Sequence, residues 1–207
     1  MTATQTVLTE TKIRMSDATA LGVFGLAMVT LVASSSKLNW TTGSTYIIPW
    51  ALILGSLAQL WAASVDMKNN NYFGSIVLGA YGLFWMAVAL HWAIGLGWLG
   101  AVGPLADPRQ VGFAYFGYLI FSLFITVAAL EANKVFAAIL VLIDVLFLSL
   151  GMSALHVAAG FFSPLAAWAE FCISLLGFYA SGAIFLNGFF GRTILPLGAP
   201  LGLIKKS

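Results

Sequence analysis

Charge is what this sequence has least of. Asp, Glu, Lys and Arg make up 8% of its 207 residues, where a soluble domain carries roughly 25%. So few charges cannot cover a water-facing surface, and with 61% hydrophobic residues the chain reads as an integral membrane protein. Cysteine is reduced to Cys172, inside an apolar run, which rules out a disulfide within the chain and a cysteine metal site. The two histidines, His91 and His156, are too few for paired haem ligation. They fall toward one membrane edge, where water-exposed side chains or a pH sensor both fit. No nucleophile stands with a base in the pattern catalysis needs. No enzyme, no metal and no cofactor are therefore expected. The net charge of +2 comes from scattered basic residues, so nucleic acid is not an expected partner. The first ten residues are polar, without an apolar core after a basic start, and no cleaved signal peptide is expected.

What is present is a series of apolar runs. The length allows six or seven spans of roughly 20 residues each. The runs fall at 18–35, 46–65, 72–94, 111–130, 135–152 and 163–190, the last long enough to tilt or to project from the bilayer. Polar breaks separate them, including the turn expected from Asp66 to Asn71 and a loop over 95–110. The expected organisation is a tail at 1–17, a six-helix transmembrane domain at 18–190 and a tail at 191–207. This is an all-α fold. With six spans, Lys12, Arg14, Lys68, Lys134, Arg192, Lys205 and Lys206 share one side, while Lys37 and Arg109 share the other. Seven basic residues against two place both termini in the cytoplasm by the positive-inside rule, with the chain in the cytoplasmic (inner) cell membrane. Trp40, Trp92 and Trp98 read as interfacial anchors in contact with lipid.

The stretch from Asn71 to Trp85 concentrates the unusual features. Gly74, Gly79 and Gly82 bare the backbone, and Ser75 and Gly79 share one helical face, a small-residue seam of the kind that packs helices in lipid. Tyr81 puts one hydroxyl near mid-membrane, where lipid offers no partner. The stretch reads equally as a tight packing surface and as the lining of a path.

Several segments carry a resemblance. Gln59 within Ala-Gln-Leu-Trp, Asn71-Tyr-Phe-Gly74, Tyr81-Gly-Leu-Phe-Trp85 and Phe190-Gly-Arg-Thr-Ile-Leu-Pro-Leu-Gly198 resemble the acetate uptake transporter family, which includes bacterial succinate–acetate permeases and related fungal membrane proteins. The likeness runs from about Leu21 to Gly198 with the same six-span spacing. It implies a permease or channel for acetate and similar small carboxylates, assembled as a ring-shaped homohexamer with one path through each protomer. It also implies a hydrophobic constriction at Leu26, Tyr81 and Ile143, with Gly177 on the last span helping to set substrate size. The family's opening signature, Asn-Pro-Ala-Pro-Leu-Gly-Leu, is here Asp17-Ala-Thr-Ala-Leu-Gly-Val23. The Asn and both prolines are gone, and Leu26 replaces the usual aromatic. Leu21 and Gly22 remain and are expected against the substrate.

Chemistry adds to this reading. A carboxylate is ionised near neutral pH, and hydrocarbon costs it several kcal/mol. A path must supply hydrogen-bond donors. Tyr81 offers a hydroxyl, Gln59 an amide, and Thr19 with the free N–H groups of the first helix start offers more. Each also fits an ordinary role: an interhelical hydrogen bond for Gln59, a helix start for Thr19, core packing for Leu26 and Ile143. Two acids lie outside what the resemblance leads one to expect: Asp144 in mid-span 5 and Glu170 two turns into span 6. Both are candidates for proton-responsive groups, or for protonated carboxyls bonded to a neighbouring helix. A sensor or structural protein of the same fold, or a channel for another small solute, remains the alternative.

Overall fold

The computed structural model describes residues 16–101 and 106–204. The expectation of a polar tail over 1–15 lies outside them, as do Lys12, Arg14, Lys205 and Lys206. Among the described residues there are six helices long and apolar enough to span a membrane, and no strand. They are α1 (Thr19–Lys37), α2 (Ile47–Lys68), α3 (Tyr72–Gly95), α4 (Gln110–Leu130), α5 (Lys134–Ala154) and α6 (Ala159–Phe190).

Local chemistry sets the ends. Asn71 and Asn133 cap α3 and α5, their side-chain oxygens accepting the N–H of Gly74 at 3.1 Å and of Phe136 at 2.9 Å. Such caps satisfy donors that a helix start leaves open. Gly191 ends α6 at φ +63°, the left-handed turn that glycine adopts without strain. At 32 residues α6 is about 48 Å long, well beyond a hydrocarbon core of roughly 30 Å. It begins at Ala159, four residues before the expected start.

α2 departs from expectation twice. Its middle, Ala51–Ala58, is wound as a π-helix, a wider winding that recurs at functional sites. Its last turn runs on to Lys68, so Asp66 is helical and only 1% exposed. The expected polar turn starting at Asp66 is corrected: a capped α3 needs only Asn69 to Asn71 to reverse direction.

Close approaches of small residues join the helices, as expected where lipid supplies no hydrophobic drive for association. Gly25 of α1 sits directly on the Leu54 carbonyl of α2. Gly82 of α3 faces Leu60, and Gly177 of α6 faces Ala27. Ser181 of α6 donates to the Ala20 carbonyl at 2.7 Å. α4 packs along α5, with Gly112 against Leu155 and Gly151 under Phe116. Long side chains bridge α3 to α4: Tyr118 donates to the Ala80 carbonyl at 3.2 Å and its ring packs on Phe84. α4 is the least buried of the six, presenting Phe113, Ile120 and Phe124 outward.

The segment after α6 folds back over the end of the bundle that holds the chain termini. Asn187 clasps the backbone of Ile194 and Leu195, and Tyr179 donates to the Pro196 carbonyl. The Glu131 carboxylate, in the α4–α5 turn, accepts three successive N–H groups from Gly202, Leu203 and Ile204.

Candidate functional site

Tyr81 is 2% exposed and points into the bundle. Helix α3 carries it there between Gly82 and the aromatic pair Phe84 and Trp85. Its hydroxyl pairs with Ser122 of α4 at 2.9 Å, and its ring lies 6.2 Å from that of Phe147 on α5.

Two cavities meet at this tyrosine. The larger, about 70 Å³, lies toward the end that holds the termini. Thr19, Val23, Gln59, Phe73, Val77 and Leu140 are among its walls. A water centre needs roughly 10–15 Å³, so a guest of about four to six heavy atoms fits. The smaller, about 20 Å³, lies on the far side among Thr30, Trp85, Phe147 and Ile173. Leu26, Tyr81 and Ile143 line both. The waist between the cavities is therefore made of one phenol and two aliphatic side chains from α1, α3 and α5.

The polar groups are arranged differently from expectation. Gln59 lines the larger cavity, but its Nε2 donates to the Gly55 carbonyl at 2.7 Å, within the π-helical stretch. Its Oε1 is buried with no partner, so the amide offers the cavity an acceptor rather than the expected donor. Thr19 is also spent: its N–H goes to Asp17 at 2.8 Å and its hydroxyl to Asp66 at 3.3 Å. Asp66 is the residue that sequence reasoning missed. It is held between Thr19 and the Asn71 side chain, pressed against the bare backbone of Gly74. The signal was its spacing, since Gln59 and Asp66 stand seven apart and so share a helical face.

Other expected site residues lie elsewhere. Leu21 is 41% exposed on the outside of α1 and lines neither cavity. Gly22 is buried against Ala62 and Leu78, where it lets α1 approach its neighbours. Gly177 backs Ala27, so it touches the waist through α1 and not directly. Asp144 follows Ile143 but turns toward α4, accepting the Thr126 hydroxyl at 2.7 Å; its Oδ1 is buried without a partner. Glu170, 1% exposed, pairs with Lys37 at 2.7 Å. Among the described residues no cluster of side chains could hold a metal ion. Outside the spans, hydrogen bonds from the Arg109 side chain hold the Asp107 carboxyl down at about 2.

The molecule is thus a multi-pass membrane protein whose own helices enclose a divided cavity. A profile of the GPR1/FUN34/yaaH family matches residues 2–196, and the chain belongs to that family. It is 28% identical over 190 residues to the succinate-acetate/proton symporter SatP of Escherichia coli strain K12, covering 89% of this chain and 96% of that protein. It is 27% identical over 140 residues to ammonia transport outward protein 2 of Saccharomyces cerevisiae, covering 64% of this chain and 49% of that one. Among solved structures, the bacterial acetate channel SatP superimposes with a TM-score of 0.81 at 24% identity, over 89% of this chain and 99% of the other. The two folds are the same.

Proposed function

We propose that this protein is a permease for acetate and similar small carboxylates, with one path through each protomer. The observation that carries the reading is the shared waist: Leu26, Tyr81 and Ile143 separate two buried cavities lying along one line through the bundle. An aliphatic ring of that kind controls passage by excluding water, and the single phenol gives a polar guest one partner as it crosses. The likeness to SatP, along nearly the whole of both chains, supports carboxylates as the cargo.

Proton linkage belongs to the same proposal. No Lys or Arg lines either cavity, and Gln59 turns an acceptor inward. Such walls favour a carboxylic acid that brings its own O–H over a bare anion. Asp144, beside the waist and with one oxygen unsatisfied, is a proposed proton-responsive group. The proposed assembly is a homohexamer in the cytoplasmic membrane with both termini inside, and the exposed apolar face of α4 is available to lipid or to a second copy.

Uptake of labelled acetate into proteoliposomes, with formate, propionate and succinate as competitors, tests the permease reading. Protein-free liposomes supply the correction for acetic acid that crosses by itself. Uptake no faster than that control, from protein shown to be folded, ends the reading. Asp144→Asn with unaltered pH dependence removes the role proposed for that carboxyl. Native mass spectrometry in detergent tests the hexamer. A second cargo, ammonia, is favoured by the buried Gln59 Oε1, which suits an N–H donor; the same liposomes loaded with a pH dye read ammonia flux directly.

A further inference from the structure

We infer that Lys37 and Glu170 form a carboxylate exchange site at the end of the path remote from the termini: Glu170 occupies the ammonium at rest, and a substrate carboxylate takes its place. The inference rests on the permease reading above.

The placement comes first. Thr30 and Ile173 line the smaller cavity. Lys37 lies seven residues beyond Thr30 on α1, which returns to the same helical face two turns further out. Glu170 lies one turn beyond Ile173 on α6 in the same direction. The pair therefore stands on the axis of the path, immediately outside the second cavity.

The two partners are unequally exposed, with the Glu170 side chain at 1% and that of Lys37 at 28%. The carboxylate is inside and the ammonium reaches toward water, the order in which an arriving anion would meet them. Trp40 packs on Trp168 and Phe171 beside the pair, with ring centroids at 6.4 and 5.1 Å. The groups that face Glu170 are Lys37 from α1 and the Tyr115 phenol from α4. No other charged group among the described residues acts on it. The remaining described basic residues are engaged or distant: Arg109 is paired with Asp107, and Lys68, Lys134 and Arg192 belong to the opposite end of the helices. Lys37 is thus the cation a carboxylate meets on this route.

Charge balance then dictates how the site works. Separating a buried ion pair leaves an uncompensated charge, at a cost far above that of the intact pair. Replacing one carboxylate by another avoids this. When Glu170 takes up a proton, its hold on the ammonium is lost, and a substrate anion restores the balance at Lys37. One proton and one anion enter together, and the net charge of the site does not change. Beyond it the cavities hold no cation, so the anion leaves Lys37 as the acid, carrying the Glu170 proton, and Glu170 closes on Lys37 again.

The test compares wild type, Glu170→Gln and the apolar pair Lys37→Met/Glu170→Met in acetate-loaded proteoliposome assays between about pH 5.5 and 7.5, the range over which a carboxyl in an ion pair is drawn into titration. For the wild type, KM is expected to fall as pH falls. Glu170→Gln should flatten that dependence at the low-pH value. The apolar pair, which replaces two charges by matched volume and so is expected to fold, should raise KM about tenfold at every pH while the melting temperature holds. Lys37→Gln/Glu170→Gln gives the same reading if the methionine pair lowers expression. A double variant with wild-type KM and pH profile would show the pair to be a structural tie and overturn the exchange site alone. A wild-type protein that moves no acetate would overturn the permease reading and this inference with it.

Discussion

Tyr81 and Ser122 share a hydrogen bond at 2.9 Å that crosses from α3 to α4 at the waist of the bundle. Both side chains are buried, so neither has water as a substitute. Tyr81→Phe removes the phenol that a guest would meet and strands the serine. The expected result is a loss of about 1–2 kcal/mol of stability, the cost of an unsatisfied buried hydroxyl, with acetate uptake reduced more steeply than the melting temperature alone explains. Ser122→Ala should cost similar stability and leave substantial uptake, because the phenol remains. Thermal melts and uptake rates on the same preparations separate the two effects.

Gly177 is a second handle on the waist. A methyl group there would stand 3.0 Å from the Ala27 Cβ, next to Leu26. Gly177→Ala is expected to push α1 toward the cavities, at an overpacking cost of about 1–3 kcal/mol. Competition by succinate and propionate should weaken relative to competition by formate. An unchanged competition order would detach Gly177 from substrate size.

Asp66 is expected to be intolerant of truncation. Asp66→Ala leaves Thr19 and Asn71 without their shared acceptor and should lower stability by about 1–3 kcal/mol. Asp66→Asn keeps an oxygen for one of them and should lose less. Gly74→Ala would drive a methyl group into the Asp66 carboxylate, so it should reproduce the Asp66→Ala defect from a residue with no polar atom of its own. Melting temperatures of the three variants decide this.

The Asp107–Arg109 clip supplies a control for every pH experiment. The folded carboxyl titrates at about 2, below the ~3.9 of an unfolded aspartate. Its contribution to loop stability is therefore complete above about pH 4 and fades only as pH falls toward 2. Asp107→Asn is expected to leave the shape of the uptake–pH curve between about pH 5.5 and 7.5 untouched. A changed curve would locate proton sensitivity in this loop.

The six spans were legible because each is a long apolar run closed by Asn, Gly or charge, and the bilayer fixes how long such a run must be. Their ends were less legible. Asp66 reads as part of a polar turn when hydrophobicity decides the boundary, yet a buried cluster with Thr19 and Asn71 draws it into the helix. The resemblance brought Leu26, Tyr81 and Ile143 into one list, and the fold brings their side chains to one place. Leu21 and Gly22 matched a motif but face outward or pack, since a motif does not say which side of a helix meets the path. Gln59 was placed correctly and oriented wrongly, because its amide answers a carbonyl within a π-helical stretch that no pattern of residues announced. The Lys37–Glu170 tie joins residues 133 apart in sequence and follows only from the antiparallel packing of α1 on α6.

The unusual winding of α2 also fixes an angular register. An α-helix turns 100° per residue, so dropping a single amino acid from 51–58 and letting the coil tighten would rotate everything after it by about that amount. The shortened helix could still cross the bilayer. Gln59 and Asp66, however, would swing off the cavity together, and the lost function would come with a protein of normal helix content.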